Sequence, residues 1–271
     1  MKLKEIPPFI KHAFKLKTLS PENLNKKDLA NELPIVVSLT TIPSRINKTH
    51  LTIRSILSQS KKPKKVLLWV HESLKDQIPN SLKKLEKGIF EIRFASWDTS
   101  HLKLVESIKA YPQENIVTID DDLMYPPTFL ETLYQEHLKY PKVIMANEAR
   151  EIKFSKQGLP LPYTEWHHIH QQPMQSKDVL PLGVFGILYP PNSLDAKVFD
   201  VDLFTKLAPK ADDLWFKAMS LLKNTTSRIT ENKPEKPILI LGTQKIALKR
   251  TNKHQDFNRI QWMQLMEYFK L

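Results

Sequence analysis

The sequence predicts an α/β protein built on a mostly parallel, doubly wound sheet, and three observations carry that expectation. Short β-branched runs alternate with amphipathic runs of helical period between residues 35 and 146, the β-α-β-α order that a parallel sheet requires. One run, Asn115-Ile116-Val117-Thr118-Ile119, ends abruptly in Asp120-Asp121-Asp122. A long stretch from Asn147 to about Val179 then loses all periodicity, and so long an insertion in a compact domain is either disordered or part of a binding surface.

Taken in order, residues 1–33 read as a basic N-terminal segment and residues 34–271 as one larger domain. Lysines interleave with bulky apolar residues from Met1 to Lys17. That pattern suits a basic amphipathic helix, either lying in an anionic membrane interface or packing on its own domain. Pro34 closes the segment. Ile35 to Thr41 is a first buried strand, followed by the loop Ile42-Pro43-Ser44-Arg45 and a helix from about Asn47 to Ser60 with Leu51, Ile56 and Leu57 inward. Lys61-Lys62-Pro63-Lys64-Lys65 reads as a solvated loop. Val66–Val70 and Ile89–Phe94 are further strands, and a helix through Leu102, Val105 and Ile108 leads into the carboxylate run.

Pro126 and Pro127 open a helix whose inward face is Phe129, Leu130, Leu133, Tyr134 and Leu138. Val143–Ala146 is a strand. The aperiodic stretch carries Tyr163, Trp166, His167, His168 and His170; without cysteine or a second cluster at a recognised spacing, these suit acceptor contact or solvation better than zinc. Gly183 and Gly186 fall in a strand-like run, where glycine marks close approach of the backbone either to a ligand or to a packed strand. Asp212 and Asp213 open a helix to about Leu222, as caps or as acids projecting into a site. Ile238–Leu241 is a late strand and Phe257–Phe269 a terminal helix.

Composition bounds the function. The 271 residues, 41% hydrophobic and 26% charged, suit a globular protein with one large core. No apolar run approaches the ~20 residues of a membrane span, and the N-terminus lacks a signal-peptide core. A cytoplasmic location is therefore expected, with peripheral contact at the inner membrane face allowed. Zero cysteines exclude disulfides and thiolate catalysis. A net charge of +12 calls for anionic partners, whether nucleotide phosphates, anionic lipid or nucleic acid.

Three adjacent acids cannot be buried with the strand before them, so they should lie at its carboxyl end, where open α/β sheets bind ligands. On an extended chain Asp120 and Asp122 share one side and Asp121 faces the other. Two hard oxygen ligands on one side suit Mg²⁺ or Mn²⁺ shared with phosphate oxygens. A solvated Asp-rich turn is the competing reading.

Together these pieces resemble the GT-A glycosyltransferases, the nucleotide-diphospho-sugar transferase fold, and specifically the bacterial polysaccharide-type enzymes related to the large family 2 group. The matching segments are Ser38–Arg45 with Ile53–Gln59, Lys64–Trp69, Ile119–Asp122, Gly186–Pro191 and Ala211–Trp215, in the expected order. The resemblance implies that Thr41, Pro43 and Arg45 receive the nucleotide, with Lys103 offsetting diphosphate charge. It implies that Asp120 contacts ribose and sugar, beside Asp121, that Asp122 takes the metal with Asp120, and that the Gly186 segment lines the donor sugar. Asp213 best matches the catalytic base, with Asp212 the alternative. His254 is the candidate for a late histidine completing the metal shell. The activity so implied is metal-dependent, inverting transfer of a sugar from a nucleoside diphosphate donor, UDP-linked by preference, to a glycan or lipid-linked acceptor.

Competing classes leave weaker marks. No Gly-x-x-x-x-Gly-Lys-Ser/Thr is present, which removes a P-loop NTPase. A nucleotidyltransferase of related architecture would carry a glycine-rich basic loop after the first strand, and Thr41–Arg45 is not one. A basic nucleic-acid-binding module would show a reading motif, and none appears.

Overall fold

The computed structural model describes residues 5–26, 29–169, 174–243 and 256–271. Helices α1 (Ile6–Thr18) and α2 (Pro21–Asn25) precede β1 (Glu32–Thr40). The winding continues through α3 (Ile46–Leu57), β2 (Lys62–His71), α4 (Asn80–Lys83), β3 (Phe90–Ala95), α5 (Leu102–Ala110) and β4 (Asn115–Thr118). After the acidic turn come β5 (Leu123–Met124), α6 (Phe129–Lys139), β6 (Ile144–Ala146), β7 (Ala149–Glu151), β8 (His167–His168), β9 (Gln175–Ser176), β10 (Val179–Pro181) and β11 (Ile187–Tyr189). The chain closes with α7 (Val201–Leu207), α8 (Asp212–Leu222), β12 (Ser227–Ile229), β13 (Ile238–Leu239) and α9 (Phe257–Phe269).

The central sheet has the order β3-β2-β1-β4-β11-β6-β12-β9. It is parallel from β3 to β4, and β11 then enters antiparallel between β4 and β6. Helices cover both faces, which gives the expected α/β class with a largely parallel, doubly wound sheet. Alternation along β1 divides the core: Ile35, Val37 and Leu39 pack with α3, α4 and α6, whereas Val36 packs with α5, α8 and α9. Every one of these β1 side chains is fully buried, so a one-residue slip would exchange the two faces.

Several expectations need correction. Pro34 does not end the N-terminal segment; β1 already includes it, and the register against β2 shifts between Leu33 and Val36, because proline has no N–H for the ladder. The lysine knot is not a loop, since Lys62 to Lys65 begin β2. Lys65 pairs with Glu91 and Lys64 with Glu114 at 2.5 Å, so neighbouring carboxylates let lysines occupy the strand. The stretch from Asn147 to Val179 is partly ordered into the small sheet β10-β7-β8. Leu138 points to solvent, 58% exposed. Ile238–Leu241 supplies only the two residues of β13, which pair with β5 outside the central sheet. Of the two readings of the N-terminal helix, packing on its own domain is seen: Ala13 and Leu16 of α1 meet Leu51, Met124 and Ile240, and Arg54 donates to the carbonyls of Leu16 and Leu19.

Candidate active site

The acids cluster because several chain segments open at the same end of the sheet. β4 stops at Thr118, and Asp121 and Asp122 already lie in a turn. Antiparallel β11 pairs Ile187 with Thr118, so the residues leading into it, Gly183–Phe185, arrive where β4 ends. The first turns of α5 and α8 deliver Lys103 and Asp212-Asp213 to the same place.

Two linked ion-pair groups result. In the first, Arg45 Nη1 donates to Asp121 Oδ1 at 2.8 Å and lies 3.3 Å from Asp122 Oδ2, while its Nε donates to the Thr243 carbonyl. Thr41 Oγ1 donates to the other Asp121 oxygen at 2.5 Å, and Thr52 Oγ1 to the Asp121 carbonyl. Burial pushes the Asp121 carboxyl up despite Arg45 and Thr41. The expected division, with Asp121 facing away from Asp120 and Asp122, does not hold: Arg45 reaches both Asp121 and Asp122. Strand alternation applies only while the chain is extended, and here it has turned.

In the second group, Lys103 Nζ lies 3.2 Å from Asp120 Oδ1 and 3.1 Å from Asp212 Oδ2. Burial alone would lower this ammonium, but Asp212 and Asp120 outweigh it and hold it charged. Ser100 donates to Asp212 at 2.9 Å. Burial also works to raise Asp212, yet Lys103 and these hydrogen bonds leave it lowered. Asp213 has the opposite fate: burial first, and the Asp212 charge second, raise it to about 8. It accepts the Gly183 N–H at 3.2 Å. A Cβ on Gly183 would lie 3.3 Å from Asp213 Oδ1, 3.4 Å from Lys103 Nζ and 3.7 Å from Asp120 Oδ1. Gly183 is thus the backbone floor shared by three ionisable groups.

Thr41, Arg45, Lys103, Asp120, Asp121, Asp122, Asp212 and Asp213 are therefore brought together in one cluster. Pro43 is exposed on the loop before Arg45. Gly186 is turned away: its φ is +87° and a Cβ there would meet the Phe129 ring at 2.5 Å, so its freedom serves helix packing. His254 lies outside the described residues. Sequence reading missed Ser100, His101 and Tyr125. Tyr125 Oη accepts the Asp120 N–H at 3.0 Å, and His101, stacked on Phe204 at 4.3 Å, is held neutral by burial with a value near 4. No local pattern marks them, because each acts through a partner distant in sequence or across a turn.

Among the described residues no three acids or histidines converge as a metal cage. A hard cation held by one or two carboxylates and by substrate phosphates needs no such cage. The Asp120 side chain is 32% exposed, whereas that of Asp122 is 10% exposed and ion-paired to Arg45, so Asp120 is the more open of the two oxygen donors. No helix among the described residues is long and apolar enough to cross a membrane.

No protein-family model matches the chain, and no curated protein sequence does. Solved structures resemble it at low identity. Residues 1–349 of TarS from S. aureus align over 76% of this chain and 59% of that one, at 14% identity and a TM-score of 0.49. The 4-diphosphocytidyl-2C-methyl-D-erythritol synthase of Anaerococcus prevotii aligns over 82% and 95%, at 14% identity and 0.49. An apo UDP-glucose pyrophosphorylase aligns over 76% and 91%, at 11% identity and 0.46. At these scores the functional reading rests on the geometry of the site.

Proposed function

We propose that the protein is a GT-A-type glycosyltransferase, moving a sugar from a nucleoside diphosphate donor, UDP-linked by preference, to a hydroxyl of a glycan or lipid-linked acceptor. The chain from β1 onward, with α1 packed on it, forms its catalytic domain. The observation that carries the reading is the pairing of unlike acids in one cluster. Asp212, paired to Lys103, is lowered, whereas Asp213, next to it on α8 and against Gly183, holds its proton to about 8. Acids whose surroundings drive their affinities for protons apart take different roles.

In this scheme Thr41, Pro43 and Arg45 border the nucleotide, and Arg45 and Lys103 face the diphosphate. Bound Mn²⁺ or Mg²⁺, held by Asp120 and Asp122, would neutralise charge gathering on the departing diphosphate. The bond from the anomeric carbon to the phosphate oxygen breaks, its electron pair leaving with the diphosphate. The acceptor oxygen attacks the opposite face, and its proton passes to Asp213 in its ionised carboxylate form. One displacement of this kind inverts the anomeric centre. Asp212 is committed to Lys103 and Ser100, which leaves Asp213 as the base.

The test is release of nucleoside diphosphate from UDP-sugars with Mn²⁺ and a lipid-linked or glycan acceptor. Asp213→Asn should bind donor normally and lose about 10²–10⁴-fold in transfer; full activity in that variant removes Asp213 as base. Asp122→Ala should abolish metal-stimulated turnover while the fold remains, and undiminished stimulation rejects the metal assignment. Release of inorganic diphosphate from a nucleoside triphosphate and a sugar phosphate would instead mark a nucleotidyltransferase.

A further inference from the structure

Helix α1 carries two faces, and only one is used by the fold. Ala13 and Leu16 seat it on Leu51, Met124 and Ile240, and Arg54 fastens its carboxyl end. On the other side Ile10 is 57% exposed and Phe14 70% exposed. They stand one turn apart, so their side chains share a single outward stripe. Lys11, Lys15 and Lys17 flank that stripe, all exposed, and the helix contains no acid. None of the three forms an ion pair with another described residue.

We infer that this face docks the protein on a bilayer carrying anionic phospholipid. An exposed aromatic and an exposed aliphatic residue at one helical stripe, edged by lysines, match the depth profile of a membrane interface: acyl boundary at the centre, phosphate headgroups at the rim. Charge complementarity selects this occupant, since a purely basic rim around an apolar pair repels a second copy of itself and attracts anionic headgroups. Met124 is two residues beyond Asp122, and Ile240 donates its N–H to the Asp122 carbonyl, so α1 is seated on residues adjoining the acidic turn. The docking itself stands apart from the proposed reaction, because it is read without turnover; with a lipid-linked acceptor among those allowed above, it would bring enzyme and acceptor to the same surface.

Sedimentation of the full chain with vesicles tests it. Binding to phosphatidylcholine vesicles containing phosphatidylglycerol should be about a hundredfold tighter than to phosphatidylcholine alone and should fall with salt. Ile10→Ser with Phe14→Ser, which alters no buried contact, should weaken that binding at least about tenfold with an unchanged melting temperature. Lys11→Glu with Lys15→Glu should erase the preference for anionic vesicles. Leu138→Ser, equally exposed but on α6, should bind as the parent does. Binding that is absent, indifferent to lipid charge, or unaffected by the Ile10/Phe14 variant overturns the inference. So does a dimer in solution that the same variant dissolves while vesicles are ignored.

Discussion

Asp212 and Asp213 are consecutive acids on one helical turn, yet Lys103 lowers the first while burial raises the second to about 8. Two measurements follow from that divergence. A base that must be ionised in the free enzyme makes kcat/KM rise about tenfold per pH unit on the acid side and level off above about 8; a flat profile from pH 6 to 9 would contradict the assignment. The same shift bears on stability. The folded state keeps the Asp213 proton to about 8, whereas the unfolded chain releases it near 3.8. Stability from this group is complete below 3.8 and is lost as pH rises through the window to about 8. Asp213→Asn should therefore raise the melting temperature by several degrees at neutral pH, with the gain fading toward pH 4. The glycines give a second contrast. Gly183 has no need of positive φ, so Gly183→Ala should fold while crowding Asp213 and Lys103, costing activity about tenfold or more. Gly186→Ala meets both a left-handed φ and the Phe129 ring, and should lose about 2–4 kcal/mol of stability by denaturant titration.

Between residues and the whole, the joints of elements carry much of the order. Gln59, just past α3, donates to the carbonyls of Ser55 and Pro126 and accepts the N–H of Leu130 in α6, all buried. Its amide thus ties the end of one helix to the start of another on the face of the sheet that carries both. Gln59→Leu fits the volume but strands the Leu130 N–H, while the Pro126 carbonyl keeps the Phe129 N–H; a loss of about 1–3 kcal/mol is expected for the one buried group left unpaired. A loss within error would show that water enters to replace it. The antiparallel entry of β11 acts at this scale too. Were it parallel, its leading residues would lie at the opposite end of the sheet, and Gly183 would never meet Asp120.

At the scale of the molecule, the cluster gathers charge from α5, α8, the β4 turn and the loop into β11, so a ligand bridging them should stabilise all of them at once. With Mn²⁺ and a nucleoside diphosphate at about a hundred times Kd, the melting temperature should rise by about 5 °C or more, and no rise with any nucleotide would count against the donor site. Much of this frame was readable from residue order. Alternating β-branched and amphipathic runs specify strands and helices, because burial on both faces demands continuous apolar strands, and the helices at Leu102, Asp212 and Phe257 begin where expected. The abrupt change from Ile119 to three acids pointed to a candidate site at a strand end. Tertiary structure alone decided the rest: that β11 runs antiparallel, that Gly183 rather than Gly186 floors the cluster, that Arg45 claims Asp121 and Asp122 together, and that Lys103 chooses Asp212 and so leaves Asp213 to hold a proton. Each of those depends on atoms tens of residues apart meeting at about 3 Å, a distance that local pattern and side-chain period do not encode.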